Sequence, residues 1–417
     1  MRSLAVRCLG LLGVLALAAG CVPFGPSVAA GHVTPVGSVG GIHFAVLGSA
    51  PQVNAVMWSP SGLYFAFVVN RQQGTFVLGT SNPLRIETVT LSNQRTVVAL
   101  TNHHAVVASV SGTNDWLYPL TGLSLGAPVA WTAPSNTYQQ WVDTASGPAI
   151  VTGGQRPVPL ALQWASGRHL SLGGGQIYVS ADGRFGAVTG GWRGHYIPNP
   201  VSDAQNPSGS QVASSTQPIA IWDFGGRTPR RLETLHLPPV RVPESSIDTV
   251  AFSPNDRYVA VSVMSFDASP PTPGRTFVYD VRTGRLLGTG PWGNGPTWSA
   301  TSRDLWIGTA AAEGRGTDQV MAVDGRRLAL WPDSQSRQLV GMVDAHTLLM
   351  AVGAVTAPSQ KLEVWNPATQ KSLEVAQDSN GGPFIAWDPS PSGSAALTTV
   401  GSRVLYASWS LKHPPGS

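Results

Sequence analysis

The stretch VMWSPSGLYFAFVV, residues 56–69, decides the fold. An apolar run ends at Trp58, the chain turns through Ser59-Pro60-Ser61-Gly62, and a second apolar run follows. Two apolar segments of strand length around a Pro/Gly/Ser turn read as a β-hairpin. One hairpin says little about a chain of 417 residues, which exceeds the ~250–300 residues at which a single core stops growing. A chain this long needs several domains or a repeated unit.

The hairpin repeats. Aligned on the last large apolar residue before each turn, the copies fall at Trp58, Leu100, Trp141, Val179, Phe252, Trp298, Met342 and Trp387. Their spacings are 42, 41, 38, 73, 46, 44 and 45 residues. The long interval contains a polar stretch without strand pattern, Arg193–Pro218, and removing it restores the period. Each hairpin is followed by a third apolar segment, among them TFVLG, IAIWDF, TFVYDV, LEVWN and VLYASW, and often by a weaker fourth. A period near ~40–45 residues with four short strands per unit predicts an all-β chain, a β-propeller of eight four-stranded blades. The count drops to seven if the third copy is not a complete blade. The last third strand leaves no room for a fourth, while Ile42–Leu47 has strand composition and no hairpin of its own. The expectation is that Ile42–Leu47 pairs with Val404–Trp409 and closes the ring.

The motifs WSPSG, FSPND and SADGR resemble the repeats of WD40-like propellers, above all the bacterial periplasmic kind found in Tol-associated propellers. The resemblance covers roughly residues 42–411. Trp222-Asp223 gives a Trp-Asp ending, and Tyr279-Asp280 and Trp365-Asn366 are variants of it, whereas the Gly-His that opens standard WD40 repeats is missing. The resemblance implies a binding platform outside the cytoplasm.

The first residues, MRSLAVRCLGLLGVLALAAGC, place Arg2 and Arg7 before an apolar run that ends in small residues. This pattern reads as an export signal over residues 1–20, too short for a membrane span. Leu17-Ala18-Ala19-Gly20-Cys21 resembles a bacterial lipobox, which implies lipidation of Cys21 and attachment to the membrane through that lipid. The only other cysteine, Cys8, lies inside the signal, so the mature chain has no pair for a disulfide. Residues 21–41 read as a flexible tether, 42–411 as the propeller, and 412–417 as a tail.

Charge and chemistry narrow the function. Formal charge is +4 and charged residues are 12% against a usual ~25%, so no polyanion-binding surface and no nucleic-acid partner are expected. The basic Arg227–Arg231 stretch reads as a solvated turn. No nucleophile elbow, Walker loop or His-Glu-x-x-His is present, and the nine histidines show no metal-ligand spacing. No catalytic residue, metal or cofactor is therefore assigned. Asp182, Asp256 and Asp388 fit hairpin turns, and Asp248, Asp304 and Asp318 are candidates for lining a channel. Connections after the second strand look longer in blades four to seven than elsewhere, and long loops are commonly functional. The expected contacts are Trp192, Arg193, His195, Tyr196, Phe266 and Trp292, because aromatics and Arg dominate binding hot spots. The composition of Asn199–Pro218 predicts disorder at the loop tip. The reading is a monomeric, lipid-anchored scaffold for a protein or peptide of the cell envelope, periplasmic or at the cell surface. The alternative is a propeller enzyme, or a carbohydrate or small-molecule binder using the central channel.

Overall fold

The computed structural model describes residues 27–49, 56–91, 95–109, 114–132, 140–144, 146–153, 160–173, 175–189, 218–238, 245–265, 275–291, 295–309, 317–332, 337–353, 360–378, 387–400 and 403–410. These residues form eight antiparallel sheets in sequence order. Blade one is Val56–Trp58, Tyr64–Asn70, Thr75–Ser81 and Leu84–Thr90. Blade three is complete, with Gln140–Thr144, Gly147–Thr152, Leu160–Trp164 and His169–Gly173, so the count is eight. Blade four is Gln176–Val179, Phe185–Thr189, Ile219–Asp223 and Arg230–Leu235, and blade five is Ser245–Phe252, Tyr258–Ser265, Arg275–Asp280 and Leu286–Pro291. Blade two splits its outer strand into Ser124–Leu125 and Val129–Thr132, both paired with Asn114–Thr121.

The first strands of blades one and two, and those of blades four to eight in succession, touch one another, which puts them on the axis. The second strands are buried on both faces: every residue of Phe185–Thr189 and of Ala395–Val400 is buried. A strand between two neighbouring blades has no solvent side, so its sequence is continuously apolar and not alternating. Eight buried clusters fill the joints. Each joins one blade to the next, from Val68, Leu78 and Val107 between blades one and two to Leu47, Phe65 and Leu397 between blades eight and one. Eight joints for eight blades make a closed ring.

Closure follows the expected route. Ile42–Ser49 pairs antiparallel with Arg403–Ser408, from His43 opposite Ser408 to Ser49 opposite Arg403. Ile42, Phe44 and Leu47 are buried there, each contributing roughly 1.5–3 kcal/mol relative to exposure. The joint is reinforced by polar contacts. Trp58 Nε1 donates to Asp388 O at 3.0 Å and Tyr406 OH donates to Ser81 O at 3.3 Å.

Three expectations need correction. The stretch 21–41 is not bare tether throughout. Thr34–Val39 adds a fifth strand outside Ile42–Ser49, and Ser27–Ala30 pairs with Leu84–Thr90 of blade one, so the segment straddles the closing joint. Three copies are misaligned: the third by two residues, since its turn begins at Thr144, the seventh by one, since its turn begins at Asp344, and the eighth by two. The eighth turn begins at Ser390, which puts Pro389 and not Trp387 at the position of Trp58. Finally, blade three has a second-to-third connection of seven residues, 153–159, as long as those of blades six and seven.

The repeated turn has a common physical basis. In blades one, four, five, six and eight, Ser59, Ser180, Ser253, Ser299 and Ser390 each accept a backbone N–H on the hydroxyl from the residue five positions on. The fourth turn residue adopts positive φ in every case: Gly62 at 70°, Gly183 at 72°, Asp256 at 58°, Ser302 at 59° and Gly393 at 69°. Glycine and Asp suit that region better than most residues. Blades two, three and seven use tighter turns at Thr101, Thr144 and Asp344, where a side-chain oxygen accepts the N–H of His103, Ser146 and His346.

Candidate functional site

The ring has two unlike faces. One carries the first-to-second hairpins and the third-to-fourth turns, here the turn face. The other carries the second-to-third connections, here the loop face. The expected contacts Trp192, Arg193, His195, Tyr196, Phe266 and Trp292 lie outside the described residues, as does Cys21. The strands that flank them are described: Trp192, Arg193, His195 and Tyr196 fall between Thr189 and Ile219, Phe266 between Ser265 and Arg275, and Trp292 between Pro291 of blade five and Thr297 of blade six, all connections on the loop face.

On the turn face the hairpins meet over the axis. Ser61 N–H donates to Asn102 Oδ1 at 2.8 Å, and Asn102 N–H donates to Asp143 Oδ2 at 2.9 Å, linking blades one, two and three. Asn255 N–H donates to Ser302 Oγ at 3.0 Å between blades five and six, and Ala345 N–H donates to Asp304 Oδ2 at 3.1 Å between six and seven. Gly183 of blade four comes against Pro60 of blade one, and Gly393 of blade eight against Ala300 of blade six. The mouth is thus narrowed by its own turns, with two clefts between them.

The first cleft, about 610 Å³, is lined by Asp182, Arg184, Asp256, Arg257, Asp280 and Arg282 together with turn residues of blades one and eight. At its base two carboxyls meet. Asp182 Oδ1 accepts Ser180 Oγ–H at 2.7 Å and Arg184 N–H at 2.8 Å. Asp256 lies beside Asp182 with its Oδ1 buried and without a hydrogen-bond partner, and burial, with that neighbouring acid, pushes the Asp256 carboxyl up to about 9. Two carboxylates in contact cannot both ionise cheaply, so Asp256 carries the proton at neutral pH. Around the pair, Arg184 Nε lies 3.6 Å from Asp223 and Arg257 Nε 3.8 Å from Asp280.

The second cleft, about 560 Å³, is lined by Asn102, His103, His104, Asp143, Asp182 and Arg184 among others. His103 is exposed and His104 half-buried. Burial pushes the His104 imidazole down against the opposing pull of Asp143, and its buried Nδ1 has no hydrogen-bond partner. Burial pushes Asp143 up. Among the described residues, no three His, Cys, Asp or Glu are grouped to hold a metal ion.

The channel candidates fare differently. Asp304 stitches blade six to blade seven through its bond to Ala345, and burial pushes its carboxyl up. Asp318 sits on the third strand of blade six, Thr317–Ala322, away from the axis. The Asp248 side chain lies outside the described residues. The Trp-Asp-like endings serve their own turns: Asp223 accepts Gly225 N–H, Asp280 accepts Arg282 and Thr283 N–H, and Asn366 accepts Ala368 and Thr369 N–H. Asp388 is half-buried by its surface yet surrounded by protein, and that burial pushes its carboxyl up to about 7. The Asp182–Asp256 meeting was missed by sequence reasoning. Its signal was present, an acid at the third turn position of blade four and at the fourth of blade five.

The fold defines the chain as an eight-bladed antiparallel β-propeller. No family model matches the chain, and no curated protein matches its sequence. Solved structures that it is similar to include Kluyveromyces lactis Hsv2p, at 9% identity over 78% of this chain and 98% of that one, with a TM-score of 0.46. Dihydro-heme d1 dehydrogenase NirN in complex with DHE is similar at 13% identity over 84% and 75%, TM-score 0.44. Kuenenia stuttgartiensis hydrazine synthase is similar at 12% identity over 78% and 96%, TM-score 0.39. These are likenesses of fold alone.

Proposed function

We propose that this chain is a lipid-anchored, extracytoplasmic scaffold of the bacterial periplasmic WD40-like kind, which binds a protein or peptide of the cell envelope on its loop face. The observation that carries the reading is the shared exit of four consecutive connections. Segments 190–218, 266–274, 310–316 and 353–359 leave blades four, five, six and seven on one face. Blade three's connection, 153–159, is as long as those of blades six and seven, which extends the sector to blades three to seven, whereas those of blades one, two and eight are 71–74, 110–113 and 401–402. Short connections suffice to build a blade, so the additional chain on one sector serves something other than the fold.

The N-terminal strand agrees with this orientation. Ser27 pairs with Thr90, the loop-face end of blade one. Cys21 stands six residues before Ser27, a reach of at most about 20 Å. A lipid on Cys21 would hold the loop face toward the membrane and its partners near the surface. The leader and Cys21 support export and anchoring. The turn-face clefts favour a separate small-molecule site, argued below.

The experiment is crosslinking in the native envelope, comparing the mature chain with a variant lacking 198–217. A partner captured by the first and lost by the second supports the loop face. A partner kept by both places the contact elsewhere on the ring and overturns the reading. Mass spectrometry of the mature N-terminus, with Cys21→Ala as the comparison, tests the lipid.

A further inference from the structure

The small net charge of +4 hides an uneven distribution. On the turn face of blades four to six, Arg184, Arg227, Arg257, Arg282, Arg303 and Arg326 are all exposed. The acids between them are engaged within their own turns. Asp223 accepts Gly225 N–H at 2.9 Å, Asp280 accepts Arg282 N–H at 3.1 Å, and Asp324 accepts Arg326 N–H at 3.0 Å. Asp256 holds its proton against Asp182. Asp223 and Asp256 are buried and Asp182 and Asp280 partly so, while Asp324 is exposed beside Arg326.

The cleft of about 610 Å³ lies inside this patch, and Arg184, Arg257 and Arg282 line it. Arg184 and Arg257 approach Asp223 and Asp280 through Nε, at 3.6 and 3.8 Å. The guanidinium carbons of Arg184 and Arg282 stand 5.1 and 6.0 Å from the centre of the buried Phe185 ring. Both forks thus lie within cation–π range of one ring. Asp223 and Asp280 offset Arg184 and Arg257, and Asp182 lies beside them, so the three arginines bring hydrogen-bond donors to the cleft without a net excess of charge.

Planar guanidinium forks match the oxygens of a phosphoryl group, and several converging on one cleft suit a tetrahedral oxyanion better than a flat carboxylate. The volume falls within the ~300–1,000 Å³ of small-molecule sites and exceeds the needs of a bare phosphate ion. The rest of the lining includes the polar Ser61, Asn255, Thr283 and Ser392 and the prolines Pro60, Pro254 and Pro391, a surface for a hydroxylated remainder. We propose that this cleft binds a phosphorylated small molecule of sugar-phosphate size, its phosphoryl group held by Arg184, Arg257 and Arg282. The site lies on the face opposite the scaffold surface and does not depend on it.

The test is calorimetric titration of the full mature chain with glucose 1-phosphate, inorganic phosphate and glucose. Three variants accompany it: Arg282→Gln, Arg184→Gln with Arg282→Gln, and Arg227→Gln, whose side chain is exposed nearby but does not line the cleft. Saturable binding of the sugar phosphate is expected, tighter than phosphate or glucose, about tenfold weaker in Arg282→Gln, weaker again in the double variant, and unchanged in Arg227→Gln. Because Arg282 is exposed on a turn, its variant should melt with the wild type, which keeps the comparison usable if the double variant does not fold. Absence of saturable binding overturns the proposal, and so does equal weakening by Arg227→Gln, which would mean diffuse attraction. A flotation arm with phosphatidylglycerol vesicles separates the sources of the oxyanion. Arginine-dependent flotation without sugar-phosphate binding would assign the cleft to a lipid headgroup and overturn the small-molecule reading.

Discussion

Asp256 lies against Asp182 across the joint between blades four and five, while its own backbone sits at φ 58°. The contact closes the space between two turns of the same repeat. Its proton has a thermodynamic consequence. Asp256 is pushed up to about 9 in the fold, against roughly 3.9 in an unfolded chain. The folded state therefore holds a proton that the unfolded state has released. Stability from this group is complete below about pH 4 and is lost as pH rises toward 9.

Asp256→Asn removes the titration and tolerates positive φ. Its stability should match the wild type near pH 4 and exceed it progressively above, reaching a few kcal/mol at pH 8. Urea unfolding at pH 4.5, 6.5 and 8 measures this. Parallel curves for the two proteins would mean that Asp256 does not carry the proton.

Asp388 offers a second, narrower window. Burial pushes its carboxyl up to about 7, and its backbone oxygen accepts Trp58 Nε1 at the closing joint. The same sign applies: stability is present below about pH 4 and lost as pH rises through 7. Asp388→Asn should gain on the order of 2–4 kcal/mol over that range and nothing further between pH 8 and 9. Continued gain above pH 8 would assign the effect to another group.

The architecture was legible because the repeat marks its own hairpins. Ser59, Ser180, Ser253, Ser299 and Ser390 each need a hydroxyl for the turn and a left-handed residue three positions later, so the sequence repeats where the backbone repeats. Blades two, three and seven were fainter because Thr101, Thr144 and Asp344 close tighter turns with different chemistry. The outer strands Ser27–Ala30 and Thr34–Val39 were missed for another reason. Thr34–Val39 is exposed almost throughout, so it has no apolar pattern to read, and its pairing is made by backbone alone. The cleft was not legible at all. Asp182 and Asp256 belong to separate blades, and only closure of the ring brings Pro60 and Ser392 beside Arg184 and Arg282.

Gly393 tests how tightly the turns meet over the axis. It lies at φ 69°, and a Cβ there would run into the carbonyl oxygen of Ala300 on blade six. That backbone is not free to retreat, since Ala300 N–H donates to Met342 O at 2.8 Å. Gly122 provides the comparison, with φ 59° and nothing near its Cβ position. Gly122→Ala should cost about 1 kcal/mol, the conformational part alone, and Gly393→Ala about 2–4 kcal/mol. Equal costs by urea unfolding would show that the turns of blades six and eight do not press on each other.

Truncation separates the strand that closes the ring from the strands that cover it. Removing residues 1–40 takes away Ser27–Ala30 and Thr34–Val39 but leaves Ile42–Ser49 in blade eight. The shortened chain should fold, with a midpoint lowered by a few degrees, because the lost Thr34–Val39 strand buries little. Removing residues 1–49 is different. It uncovers the edge of Arg403–Ser408 and strips Ile42, Phe44 and Leu47 from the core. An unpaired edge beside an apolar surface is a site for association between chains, so this variant should aggregate or lose its near-UV dichroism. A synthetic peptide of residues 41–49 supplied during refolding should restore the monomer by adding the missing strand. If the chain beginning at residue 50 stays monomeric with native near-UV dichroism and no peptide, the ring does not depend on its N-terminal strand, and the closure argued from Ile42–Ser49 is wrong.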